Sequence, residues 1–109
     1  MMEAFTSAQA DGISYIMEAE LLLHRREVLS ETAFVERVVW LLPRTLPASA
    51  HRFKYRLALV VNGECVLRYD NEAGKGDHRH IHGREEPYAF VDIDRLLADF
   101  RAEVERLMK

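Results

Sequence analysis

With 109 residues, 49% of them hydrophobic and 30% charged, the chain has the composition of one globular domain with an ordinary apolar core, so residues 1–109 read as a single domain. A formal net charge of -3 excludes gripping duplex nucleic acid by overall basicity, so any nucleic-acid contact must be local. The lone Cys65 excludes an internal disulfide, and the apolar runs Val38–Leu42 and Leu57–Val61 are far shorter than the roughly 20 residues that span a bilayer, which predicts a cytoplasmic protein with no membrane partner.

Residues 13–28 fit both periods. Ile13, Ile16, Met17 and Leu21 follow helical spacing, whereas Tyr15, Met17, Ala19, Leu21 and Leu23 alternate. A strand is the preferred reading. Residues 32–42, from Thr32 to Leu42, are rich in β-branched and aromatic residues and stop at Pro43, which predicts a second strand with Phe34 and Trp40 as core. Residues 43–50 read as a connection.

Asn62-Gly63 then separates two strand-like runs, 53–61 and 64–69, and supplies the two positive φ angles of a type I′ hairpin. An unbroken two-residue hairpin pairs Val61 with Glu64, Leu59 with Val66, Leu57 with Arg68 and Tyr55 with Asp70 on one face. The other face then pairs Val60 with Cys65, Ala58 with Leu67 and Arg56 with Tyr69. A bulge would shift the second strand by one residue and exchange its faces. Cys65 reads as a small core residue.

The polar end of this hairpin runs into a segment holding His78, His80 and His82, three of the five histidines, expected to form a loop between glycine-bearing turns. After it, Ile93, Leu96, Leu97, Phe100, Val104 and Leu107 recur at three- and four-residue intervals and predict a helix over 93–108. Asp92 or Asp94 can cap it, and Arg101–Glu105 or Glu105–Lys109 can pair across one turn. The expected fold is α+β: an antiparallel meander of about four strands with the C-terminal helix packed on one face.

Histidines in alternation share one face of an extended chain, and the chemistry they suit is proton transfer. In metal-free phosphodiester cleavage, one imidazole deprotonates a ribose 2′-hydroxyl, another protonates the leaving oxygen, and cations stabilise the phosphorane. The expected catalytic residues are His78, His80, His82 and Asp70. Arg56, Arg68, Lys75 and Arg79 are the expected phosphate contacts, and Tyr55, Tyr69 and Asn71 the orienting groups. Gly74 and Gly76 would let backbone amides approach an anion. For Asn71, an Asx-type turn competes with any chemical role.

No cofactor is expected on this reading. The alternative use of the same histidines is a metal site, with His78, His80 and His82 as ligands and Asp70, Asp77 or His51 able to complete the set. A third reading makes the histidine segment a non-catalytic surface for a partner protein.

Tyr55-Arg56-Leu57, Asn62-Gly63, Arg68-Tyr69-Asp70-Asn71, His78-Arg79-His80 and Tyr88-Ala89-Phe90, in that order, resemble the TumE family of toxins from bacterial and archaeal toxin–antitoxin modules. The resemblance covers about residues 51–108. It departs from the family pattern at Gly74-Lys75-Gly76-Asp77-His78-Arg79-His80, where many members carry a proline-containing His-His-Lys-His loop. It implies a cytoplasmic protein encoded beside an antitoxin, often one with a helix-turn-helix DNA-binding domain. It implies no particular reaction. With the side-chain chemistry, it points to a growth inhibitor acting on RNA or on translation, here a metal-independent ribonuclease.

Overall fold

A computed structural model describes residues 18–109. The described residues form six antiparallel strands in sequence order, β1 (Glu20–Val28), β2 (Ala33–Leu41), β3 (Phe53–Val61), β4 (Glu64–Glu72), β5 (Gly76–Ile81) and β6 (Arg84–Pro87), then helix α1 (Ile93–Leu107). Among the described residues no helix is long and apolar enough to cross a membrane. The α+β meander with a C-terminal helix is as the pattern predicts, but the sheet has six strands where about four were expected. The predicted first strand forms from Glu20 onward, and Ile13 to Met17 lie outside the described residues.

Of the two extra strands, β5 comes from the segment expected to be a loop and β6 from the residues just after it. Asn62-Gly63 (φ 54° and 79°) turns β3 into β4 as its residue types demand, and His82-Gly83 repeats the device between β5 and β6 at φ 49° and 81°. Histidine is one of the few non-glycine residues that enters this region readily, so His82 stands where asparagine stands in the first turn.

The β3–β4 pairing begins in the expected register, Val61 with Glu64 and Val60 with Cys65, and then slips: Leu59 pairs with Leu67, Leu57 with Tyr69 and Arg56 with Asp70. The expected continuation is therefore corrected by a bulge at Val66. Without it Leu57 and Leu59, both fully buried, would share their face with Arg68 and Val66. With it they share that face with Leu67 and Tyr69, and the charged Arg68 and Asp70 turn to the opposite side. Cys65, expected in the core, is exposed at the bulge, its thiol donating to the Leu67 carbonyl at 3.4 Å.

One face of the sheet carries the core. Val35, Val39, Tyr55, Leu57, Leu59, Leu67 and Tyr69 pack against Leu96, Phe100 and Val104 of α1, with Phe100 edge-on to Tyr69 at 5.8 Å between ring centroids. Asp92 caps α1 as expected, its Oδ1 accepting from the Arg95 amide at 2.7 Å. The exposed pairs along the helix are Arg95 with Asp99 and Arg106 with Glu103 in place of those involving Glu105.

Candidate functional site

Because side chains alternate along a strand, the slipped register fixes two sets of residues on opposite faces of β4 and β5. On the face away from α1, Asp70 sits directly opposite His78, Arg68 opposite His80 and Arg56 opposite Asp70 on the other side. On the α1 face, Tyr69 sits opposite Arg79 and Asn71 opposite Asp77. The predicted site residues are thereby divided.

His78 is nearly fully buried, and its Nδ1 lies 3.1 Å from the Gly76 carbonyl, an acceptor that places the ring proton on Nδ1. Its Nε2 lies 2.7 Å from Oδ1 of Asp70, whose Oδ2 is 3.0 Å from Nε of Arg68. The His80 ring stands edge-on to that of His78 with centroids 5.0 Å apart. Despite these short separations the donors and acceptors are not aligned. Arg68 Nε, Asp70 Oδ1, His78 Nε2 and His80 Nε2 are buried atoms without a hydrogen-bond partner, and among the described residues only Arg79 Nε shares that condition. His78 Nε2 and Asp70 Oδ1 are thus in contact at 2.7 Å with neither atom satisfied by the other.

Charge of both signs surrounds this cluster. Glu85 Oε2 and Glu72 Oε1 lie 3.8 and 3.9 Å from His78 Nε2, and Lys75 bridges the same two glutamates at 3.0 and 3.6 Å. That pairing holds Lys75 above the ordinary lysine range and Glu85 below the ordinary carboxylate range. Lys54, on the same face of β3, donates through Nζ to the Asn71 carbonyl. Burial lowers its pKa, opposed by the nearby Asp70 and Glu72 carboxylates, so it is a cation held where water stabilises it poorly. Only the register reveals it as a neighbour of the site.

The remaining predicted residues lie elsewhere. His82 is in the β5–β6 turn and exposed. Arg79 faces α1, where it is paired with Glu86, held 3.9 Å from Glu103 and donates to the Tyr69 hydroxyl at 3.4 Å. Tyr69 is core. Asn71, 1% exposed, brackets β3: its Oδ1 accepts from the Tyr55 amide at 3.1 Å and its Nδ2 donates to the Phe53 carbonyl at 2.7 Å. The glycine turn offers no free cradle at Gly74, whose amide donates to the Pro47 carbonyl at 2.9 Å.

Tyr55 belongs to a second polar group that sequence reasoning did not assemble. Its hydroxyl donates to Asp77 Oδ1 at 2.6 Å, and His51 Nε2 reaches the same oxygen at 2.9 Å. The Phe53 amide donates to His51 Nδ1, so Nε2 carries the proton, and the ring stacks on Phe90 with centroids 3.8 Å apart. Both ring nitrogens of His51, the Tyr55 hydroxyl and Asp77 Oδ1 are engaged, which makes the group a structural clasp between the 43–52 connection, β5 and the segment before α1. His51 and Asp77 are therefore occupied away from the Asp70 cluster.

The family model for toxin TumE matches residues 11–108. The chain belongs to the TumE family. The match extends well upstream of residue 51, where the recognisable motifs begin, so β1 and β2 are part of the family's domain and not an addition to it. TumE membership makes the protein a toxin of a toxin–antitoxin module, with an antitoxin as partner. No curated protein and no solved structure matches the chain.

Proposed function

We propose that this TumE-family toxin cleaves RNA by metal-independent transesterification at the Arg68–Asp70–His78–His80 cluster. The observation that carries the proposal is the convergence of two buried imidazole Nε2 atoms and one carboxylate oxygen, none with an aligned partner, beside Arg68. In a folded protein such atoms are costly unless something else uses them.

In this reading His80 accepts the ribose 2′-hydroxyl proton, and the 2′-oxygen forms its bond to phosphorus. His78, acting as the imidazolium, gives its Nε2 proton to the departing 5′-oxygen as the phosphorus–oxygen bond breaks. The products are a 2′,3′-cyclic phosphate and a free 5′-hydroxyl. Arg68, with Arg56 and the poorly solvated Lys54 on the same face, offsets the charge of the phosphorane. Asp70 steadies the imidazolium, and Gly76 fixes the ring.

The toxin works in the cytoplasm, and its antitoxin, of the kind bearing a helix-turn-helix DNA-binding domain, silences it by covering this face. The test is expression without the antitoxin, followed by incubation of tag-free protein with RNA in a chelator. Growth arrest and cyclic-phosphate ends are expected, with His80→Ala slowing cleavage at least 10²-fold while circular dichroism stays unchanged. Wild-type protein that leaves RNA intact, or a His80→Ala protein as fast as wild type, refutes the proposal.

A further inference from the structure

Asp70, His78 and His80 each place one ligand atom within 4.8 Å of the others, close to the spread of three ligands around a single ion. Asp70 Oδ1, His78 Nε2 and His80 Nε2 are buried without hydrogen-bond partners, and His78 itself is 4% exposed. The supporting contacts are those that metal ligands require. The Gly76 carbonyl accepts from the far nitrogen of His78, and Arg68 holds the far oxygen of Asp70 at 3.0 Å.

We infer that Asp70, His78 and His80 bind one divalent transition-metal ion. Two imidazoles and one carboxylate select zinc, manganese, iron, cobalt or nickel over calcium and magnesium, whose preferred ligands are all oxygen. Glu85 and Glu72, within 4 Å of His78 Nε2, are placed to supply a fourth oxygen. The ligand set arises from the slipped register, because Asp70 and His78 are cross-strand neighbours and His80 is the next residue on that face of β5. His82 contributes nothing, and His51 with Asp77 forms a separate, saturated pair.

The binding claim stands apart from the cleavage proposal. Its consequence for activity rests on that proposal: an ion on both Nε2 atoms removes the base and the acid together, so metal-loaded toxin is inactive.

The test uses tag-free wild-type protein stripped with chelator and dialysed, then titrated with Zn2+ by calorimetry and with Co2+ by visible absorption. One ion per chain is expected. His80→Ala and Asp70→Asn should each lose at least about tenfold in affinity, with His82→Ala and His51→Ala unchanged. His80 is only partly buried, so its variant remains informative even if Asp70→Asn fails to fold. Absence of saturable binding, or wild-type affinity in folded His80→Ala, overturns the inference. Cleavage that falls as zinc fills the site supports both proposals. Stoichiometric binding to a protein that never cleaves RNA supports the metal site and refutes the ribonuclease. Cleavage that requires zinc refutes the exclusion of activity by metal.

Discussion

Replacing Asn71 with leucine separates a structural role from a chemical one. The side chain is 1% exposed, and its amide does what the backbone ladder does elsewhere: it serves the Tyr55 N–H and the Phe53 C=O just beyond the last β3–β4 backbone pair, Arg56 with Asp70. Leucine keeps the branched heavy-atom skeleton, so no cavity opens and the principal effect is the loss of two hydrogen bonds. Each leaves a buried backbone group unsatisfied at about 1–3 kcal/mol, giving a total of about 2–4 kcal/mol once some water reaches the strand end. For a domain near 100 residues that corresponds to a fall in Tm of roughly 10–25 °C. Urea unfolding followed by circular dichroism measures it. Below its lowered Tm the variant should cleave RNA as wild type does, since the amide faces α1 and not the cluster. A destabilisation under about 1 kcal/mol, or a fully folded variant without activity, would show that Asn71 acts on the site face after all.

Deleting Val66 removes the extra residue and leaves Leu59 opposite Leu67, Leu57 opposite Tyr69 and Arg56 opposite Asp70, so the variant should fold with the faces of β4 unchanged; an unfolded chain by proton NMR would refute the register argument. Phe100→Ala empties a fully buried position beside Tyr69 and should cost about 3–5 kcal/mol by urea unfolding, with a smaller loss showing that α1 can re-seat. In alkali, Tyr55 and Tyr88 should stay protonated past the ordinary tyrosine value of 10.0, because burial and donation to Asp77 and Asp99 favour the neutral phenol. The folded form then binds more protons than the unfolded one, so stability should fall as pH rises above about 10, and tyrosinate absorbance should appear only with unfolding. Ionisation of these phenols in the native protein at that pH would contradict the packing.

Much of the fold was legible because its signals are local. Asn62-Gly63 specifies a turn within two residues, and the helical stripe from Ile93 to Leu107 needs only its own spacing. The bulge at Val66 is different, because nothing in Glu64-Cys65-Val66-Leu67 marks it. It follows from the competing demand that Leu57, Leu59, Leu67 and Tyr69 lie under one helix, a comparison across two strands. The histidine segment expected to be a loop became β5 and the turn into β6 for a related reason. His82-Gly83 is an uncommon form of the type I′ turn, and alternating histidines lack the β-branched and aromatic signature of a strand. Of the site, His78, His80, Asp70 and Arg68 were recoverable from alternation alone. Lys54 and Glu85 were not, since they enter from β3 and β6, whereas Glu72 follows Asp70 on the same face of β4 and was within reach of the same argument.

Strand parity also explains the motif that carries the family resemblance. Arg68-Tyr69-Asp70-Asn71 is one run of β4, and a strand shows alternate residues to opposite faces, so the motif cannot be a single site. Arg68 and Asp70 belong to the cluster with His78 and His80, whereas Tyr69 is buried against Phe100 and Asn71 brackets β3. The same division runs through His78-Arg79-His80, whose outer members face the cluster while Arg79 reaches Glu86 and Glu103 under α1. The two halves depend on each other. Tyr69 and Asn71 fix the height and register of β4 against β3, and an error of one residue there would carry Asp70 to the wrong side of the sheet, away from both imidazoles. The core-facing residues of the motif therefore act on the chemistry by position, through the register they enforce, and substitutions in them should lower stability first and activity only as the folded population falls.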